Sequence, residues 1–196
     1  MESYDDGNRT GVRNLSWEEF ARLSRDLAET VRAFEPDVIV GVAKAGLLPA
    51  TAVACALRCE LIPVRISRRV DDVVVHRTPQ WRVPLTAGLA GKRVAVIDEM
   101  ADTGETLRLV AEHTRENGAP KILTSVLVQH SWADPKPDFA ALHTDELVVF
   151  PWDAKVLVDS QWQIHPEIAA AVENLEREST AATTELRPSE LRLEDD

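Results

Sequence analysis

The chain is poor in the features that mark several classes of protein. It has only two cysteines, Cys55 and Cys59, four positions apart in a stretch that reads as helix. Two thiols on adjacent turns of one helix rarely meet disulfide geometry, and no other cysteine or histidine completes a zinc pattern. Both therefore read as small core residues. No apolar run approaches the roughly 20 residues that cross a bilayer, so no membrane partner is expected. The first apolar runs come too late for a signal peptide, and a cytoplasmic protein is expected. Positive charge is scarce: 22 Lys and Arg stand against 33 Asp and Glu, a net charge of −11. That balance argues against a nucleic-acid partner, because phosphate neutralisation needs a basic surface. It leaves room for a small polyphosphate held by backbone N–H groups. Neither G-x-G-x-x-G nor G-x-x-x-x-G-K-[ST] follows a strand, which argues against other α/β nucleotide binders.

What is present describes an ordinary globular domain: 196 residues, 44% hydrophobic and 28% charged. Residues 1–14 carry no periodicity and are expected to form a flexible arm. Ser16 and Glu19 make a capping box, Phe20, Leu23, Leu27 and Val31 follow at helical spacing, and Pro36 ends that helix. Val38 to Val40 reads as a strand buried on both faces. Gly41 to Gly46 reads as a turn, with Pro49 in the first turn of a helix running to about Arg58. Leu61 to Ile66 is a second strand. Residues 67–91 are too long for a plain connection, so they are expected to be functional or mobile, with room for a short hairpin.

Arg93 to Ile97 predicts a third strand, leading into a helix with Leu107, Val110 and Ala111 on one face. Asn117-Gly118 closes that helix. Ile122 to Val128 predicts a fourth strand, with shorter candidates at Phe139 to Leu142 and Leu147 to Phe150. Pro166 opens a last helix with Ile168, Ala169, Val172 and Leu175 inward, and residues 179–196 read as an acidic disordered tail. Strands alternating with helices imply a parallel sheet covered on both faces, with ligands at the carboxyl ends of its strands. Gly41–Gly46 and Asp98–Thr106 both lie at such ends.

The second of these segments carries the chemistry. Thr103, Gly104, Glu105 and Thr106 present successive N–H groups at a helix start, with two hydroxyls beside them, which is a phosphate cradle. Asp98, Glu99 and Asp102 crowd in front of it, where bare carboxylates repel a phosphate. The arrangement makes sense if a vicinal diol donates hydrogen bonds to Asp98 and Glu99 while Mg²⁺ bridges the ligand's oxygens nearby. A phosphorylated ribose supplies both groups.

The stretch V-A-V-I-D-E-M-A-D-T-G-E-T, Val94 to Thr106, resembles the phosphoribosyl-pyrophosphate motif of the type I phosphoribosyltransferases. The resemblance implies that family's fold, an α/β domain with a mainly parallel sheet flanked by helices and a small hood. The resemblance spans roughly Phe20 to Asp153, and between the arm and the tail the domain is expected at 15–178, with the hood at about 130–165. It implies that Asp98 and Glu99 hold the ribose hydroxyls and, through water, Mg²⁺. By the same carry-over Asp102, Thr103, Gly104, Glu105 and Thr106 hold the 5′-phosphate, and Asp102 acts as general acid/base beside the base. Val40 to Ala50 resembles the pyrophosphate loop, with Ala43, Lys44, Ala45 and Gly46 around the leaving group. Residues 67–84 stand where the family keeps its catalytic loop, so that Arg68 and Arg69 meet the pyrophosphate, Arg69 catalytically.

Pro137 to Phe139 and V-V-F-P-W-D, Val148 to Asp153, resemble the xanthine and hypoxanthine–guanine branch. There Leu147 takes the place of a base-stacking tryptophan, and His130, or Gln129 with a one-residue shift, the place of a lysine that reads the 6-oxo group. The implied base contacts are His130, Leu147, Val148 and Asp153, with Asp153 also a metal candidate. The implied activity is transfer of phosphoribose from phosphoribosyl pyrophosphate to a 6-oxopurine by a Mg²⁺-dependent homodimer. The alternatives are another base, or a regulator of the same fold that senses phosphoribosyl pyrophosphate or nucleotides.

Overall fold

The computed structural model describes residues 9–70, 73–76, 78–86 and 88–185. Its elements run β1 (Val12–Asn14), α1 (Trp17–Phe34), β2 (Val38–Ala43), α2 (Leu47–Leu57), β3 (Glu60–Ser67), β4 (Arg69–Val70), β5 (Val73–Val74) and β6 (Gln80–Val83). There follow β7 (Arg93–Ala101), α3 (Glu105–Glu116), β8 (Lys121–Gln129), β9 (Phe139–His143), β10 (Leu147–Val149), β11 (Lys155–Val158), β12 (Gln161–Ile164) and α4 (Pro166–Glu185). The chain divides into two compact units, residues 18–144 and residues 1–17 with 145–196.

The larger unit is organised by a six-stranded sheet of order β6-β3-β2-β7-β8-β9. All neighbours pair in parallel except β6, which runs antiparallel to β3 at one edge. The apolar runs explain the strands: Val38, Ile39, Val40 and Val94 to Ile97 are fully buried, as strands covered on both faces must be. Leu23, Leu27 and Val31 of α1 are buried at the predicted spacing. From β2 the chain steps to β3 on one side and then to β7 on the other. The carboxyl ends of β2 and β7 therefore flank the topological switch point, where an open α/β sheet leaves a crevice.

Two expectations are corrected here. The turn expected at Gly41 to Gly46 begins later, because β2 continues to Ala43 in register with Arg65. Gly41 serves packing instead: a Cβ there would stand 2.8 Å from the Ala50 Cβ and 3.0 Å from Leu47 Cδ2, so its absence lets α2 lie close on the strand. Similarly, β7 does not stop at Ile97. It stays paired with β8 through Asp98–Val126, Met100–Val128 and Ala101–Gln129, so the first two acids stand on a strand.

In the smaller unit the expected flexible arm contains a strand. Val12, Arg13 and Asn14 pair in parallel with Leu147, Val148 and Val149, which gives an otherwise unpaired short strand its backbone partners. Residues 1–8 of the arm lie outside the described residues. The hairpin of β11 and β12 was not anticipated. Its turn residues Asp159 and Ser160 have φ of 47° and 65°, as a two-residue hairpin of primed type requires. Helix α4 runs past Ser179, where a disordered tail was expected, to Glu185, through alanines that favour helix. Residues 186–196 lie outside the described residues.

Candidate functional site

The turn after β2 and the carboxyl end of β7 meet at the switch point. The Asp98 carboxyl sits at the carboxyl end of β7, only 6% exposed, and its Oδ1 accepts the Glu99 N–H at 2.9 Å. Burial raises its pKa well above the usual carboxylate range; the charge of Glu99 and a hydrogen bond between the two carboxyl groups push the same way. The turn after β2 abuts this group. A Cβ on Gly46 would collide with Asp98 Oδ1 and stand 2.5 Å from the Val42 carbonyl oxygen, so only glycine lets the turn pass this close. Lys44 is exposed at the turn's tip, and the Ala43–Lys44 peptide bond is cis.

Beyond Ala101 the chain turns into α3. Gly104 is the N-cap, with φ of +82°. The Arg108 N–H bonds the Gly104 carbonyl, so the N–H groups ahead of it open outward from the helix end, with the Glu105 N–H only loosely held by Thr103 Oγ1 at 3.4 Å. Donors, helix dipole and hydroxyls together are groups that could hold an anion. The back of this turn is closed by residues 130–135. The Asp134 N–H donates to the Thr103 carbonyl at 3.0 Å, and a Cβ on Gly104 would run into the Pro135 carbonyl.

Asp102 itself is held by a residue that the sequence reading missed. Trp132 Nε1 donates to Asp102 Oδ1 at 3.1 Å, and the indole stacks on His130 with ring centroids 4.4 Å apart. His130, expected as a base contact, is fully buried; its Nδ1 lies 2.6 Å from the Thr144 carbonyl and its Nε2 4.0 Å from Asp102 Oδ1. Its place is beneath Trp132 and beside the acid. The available signal for Trp132 was its position, a lone aromatic between β8 and the Pro135–Pro137 turn.

The remaining candidates are placed as follows. The Arg68 carbonyl accepts the Val75 and His76 N–H groups, closing the β4–β5 hairpin expected within 67–91. Arg69 begins β4, and its side chain lies outside the described residues. In the smaller unit Leu147 and Val148 are buried on β10, and Asp153 is exposed, 3.8 Å from His165 Nε2.

A phosphoribosyl transferase domain model matches residues 14–159. The chain belongs to the phosphoribosyl transferase family. Xanthine-guanine phosphoribosyltransferase of Idiomarina loihiensis is 30% identical over 142 residues, spanning 71% of this chain and 85% of that protein. Adenine phosphoribosyltransferase of Sphingopyxis alaskensis is 31% identical over 107 residues, 51% of this chain and 58% of that one. The crystal structure of purine phosphoribosyltransferase from Pyrococcus horikoshii Ot3 superposes with a TM-score of 0.68 at 30% identity, covering 78% of this chain and 100% of that one. This phosphoribosyltransferase is therefore an enzyme of phosphoribosyl transfer with the mainly parallel α/β fold that its motif implied. No helix among the described residues is long and apolar enough to cross a membrane.

The donor set fits Mg²⁺ in one way only. Among the described residues no cluster of three or more His, Cys, Asp or Glu side chains forms a metal cage. Asp98 and Glu99 are adjacent carboxyls that could offer hard oxygens to a cation, whose charge would offset the effect of Glu99 on Asp98. One or two carboxylates, completed by water and substrate phosphate, is the usual Mg²⁺ arrangement.

Proposed function

We propose that this phosphoribosyltransferase joins the phosphoribosyl group of phosphoribosyl pyrophosphate to a 6-oxopurine, namely hypoxanthine, guanine or xanthine, and releases pyrophosphate. The observation that carries this reading is the close approach of the Ala43–Gly46 turn to the buried Asp98 carboxyl, at the end of the strand that leads into the Asp102–Thr106 turn. One turn suits a pyrophosphate and the other a 5′-phosphate, and the acids between them suit the ribose diol.

In the reaction, a ring nitrogen of the base attacks the anomeric carbon as the bond to pyrophosphate breaks. Asp98 and Glu99 hold the ribose hydroxyls and favour the positive charge that develops on the ring. Thr103, Gly104, Glu105 and Thr106 fix the 5′-phosphate. Ala43, Lys44, Ala45, Gly46, Arg68 and Arg69 receive the leaving group, where fixed donors act most strongly. Asp102 takes the proton that the base gives up. Mg²⁺, when bound by Asp98 and Glu99, supplies charge neutralisation for the pyrophosphate. On sequence alone, Leu147, Val148 and Asp153 are assigned to the base and Asp153 additionally to the metal. The buried His130 acts on the base only through Asp102. The reading carries with it a cytoplasmic homodimer serving purine salvage.

The test is pyrophosphate release from phosphoribosyl pyrophosphate and Mg²⁺, with hypoxanthine, guanine, xanthine, adenine and uracil supplied separately. Release with an oxopurine and formation of its nucleotide is expected. Release with adenine or uracil alone would refute the base assignment. Tight donor binding with no release would move the reading to a sensor of the same fold.

A further inference from the structure

Among the described residues the Asp102 carboxylate has no hydrogen-bond partner within its own turn. Its support comes from the turn after β8, which is fastened on both sides of it: the His130 N–H bonds the Ala101 carbonyl at 3.2 Å and the Asp134 N–H bonds the Thr103 carbonyl at 3.0 Å. Between those two fastenings the Trp132 indole N–H reaches Asp102 Oδ1 at 3.1 Å. The indole is itself set in place by the ring below it, which it overlies at an interplanar angle of 14°.

That ring is oriented. The Thr144 carbonyl only accepts, so His130 Nδ1, 2.6 Å away, carries the proton. In the neutral ring Nε2 then presents a lone pair; it is buried without a partner and 4.0 Å from the same Oδ1. A lone pair does not compete for that oxygen, so the indole is its one donor in that state.

We propose that Trp132 is a positioning residue whose indole N–H pins Asp102 Oδ1 and leaves Oδ2 as the atom that takes the proton. This rests on the proposed reaction. As the nitrogen–carbon bond forms and the carbon–oxygen bond breaks, the electron pair leaves with pyrophosphate and the proton of the base nitrogen passes to Oδ2. A carboxylate free to swing would present either oxygen at a changing distance. Fixing one oxygen presents the other at a constant one, which is where orientation contributes to rate.

Two measurements test the assignment with the intact chain. Trp132→Phe keeps a flat ring on His130 and removes the donor together with the five-membered part of the indole. It is expected to lower kcat about tenfold or more, the loss of one hydrogen bond to a charged group, while KM for phosphoribosyl pyrophosphate changes less than about threefold. In an Asp102→Asn background the same change is expected to cost nothing further. Independently, in ¹⁵N-labelled protein the indole N–H resonance of Trp132 is expected to move upfield in Asp102→Asn. An unchanged kcat in Trp132→Phe, an equal loss in both backgrounds, or an unmoved indole resonance would each overturn the proposal. A wild-type protein that forms no nucleotide with any base would instead overturn the reaction, and the resonance would still decide the hydrogen bond.

Discussion

Asp98→Asn should make the protein more stable and a poorer binder of its donor. The carboxyl is 6% exposed and faces Glu99, and its pKa is raised first by burial, then by the Glu99 charge. A raised acid pKa means that the folded chain binds more protons than the unfolded one between the ordinary carboxyl range and the raised value. Stability therefore falls as pH rises through that window. Asparagine keeps an oxygen for the Glu99 N–H and can donate to the Glu99 carboxylate, but it buries no charge. Relief of an imperfectly compensated buried polar group is on the order of 1–3 kcal/mol, which in a chain of this size corresponds to about 3–10 °C in Tm. The gain should be largest above neutral pH and shrink as pH falls toward the ordinary carboxyl range, where both states of Asp98 are protonated. Donor affinity, measured by calorimetry with Mg²⁺ present, should drop roughly 10- to 100-fold, the worth of one charge-assisted hydrogen bond. Thermal melts across pH 4 to 9, set beside those titrations, make the comparison. A variant less stable than wild type at alkaline pH, or a stability difference that ignores pH, would refute the electrostatic argument. Undiminished donor affinity would refute the placement of the ribose.

Gly104→Ala forces a side chain into positive φ and into the Pro135 carbonyl. A loss of about 2–5 kcal/mol is expected from denaturant unfolding, combining the left-handed penalty with overpacking. A loss below about 1 kcal/mol would mean that the wall at Pro135 yields. Removing residues 1–14 takes away the carbonyl of Gly11, which accepts the Leu147 N–H at 2.7 Å, and the whole of β1. Amide exchange at Leu147 to Val149 should then accelerate by at least about tenfold, as it does when local structure opens at low cost. Unchanged protection would show that β10 stands without its partner.

The core of the fold was open to reading because its signals are local. Apolar runs bounded by Pro36, Gly118 and charged turns name the central strands, and the spacing of Leu23, Leu27 and Val31 names the face of α1. The acids and the D-T-G-E-T turn were legible for the same reason, since seven chemically committed residues lie within nine positions. What escaped depends on distant pairing. Val12–Asn14 has no periodicity to show, and it is a strand only because Leu147–Val149 needs one. The extension of β7 through Asp98 to Ala101 follows from β8 continuing beside it, while two acids in a row read as a loop. Trp132 escaped because its polar contact is a hydrogen bond to a residue 30 positions earlier. His130 was read by its place in a hood pattern, and burial among β8, Thr144 and Trp132 is invisible to that pattern.

The two glycines of the site share a purpose that goes beyond turn geometry. At Gly46 the space of a side chain is taken by Asp98, and at Gly104 by Pro135. Each of these turns is thereby wedged against a neighbour, and the fastenings at Ala101 and Thr103 hold Asp102 between them. Pre-formed turns lose little entropy on binding, so more of the contact energy is left for orientation and charge stabilisation. The opposing term is Asp98, whose charged form is disfavoured by burial and by the half-buried Glu99 beside it. The site is thus closely packed in its backbone while its buried acid disfavours ionisation, so a cation or hydroxyl donor brought beside Asp98 would favour the charged form.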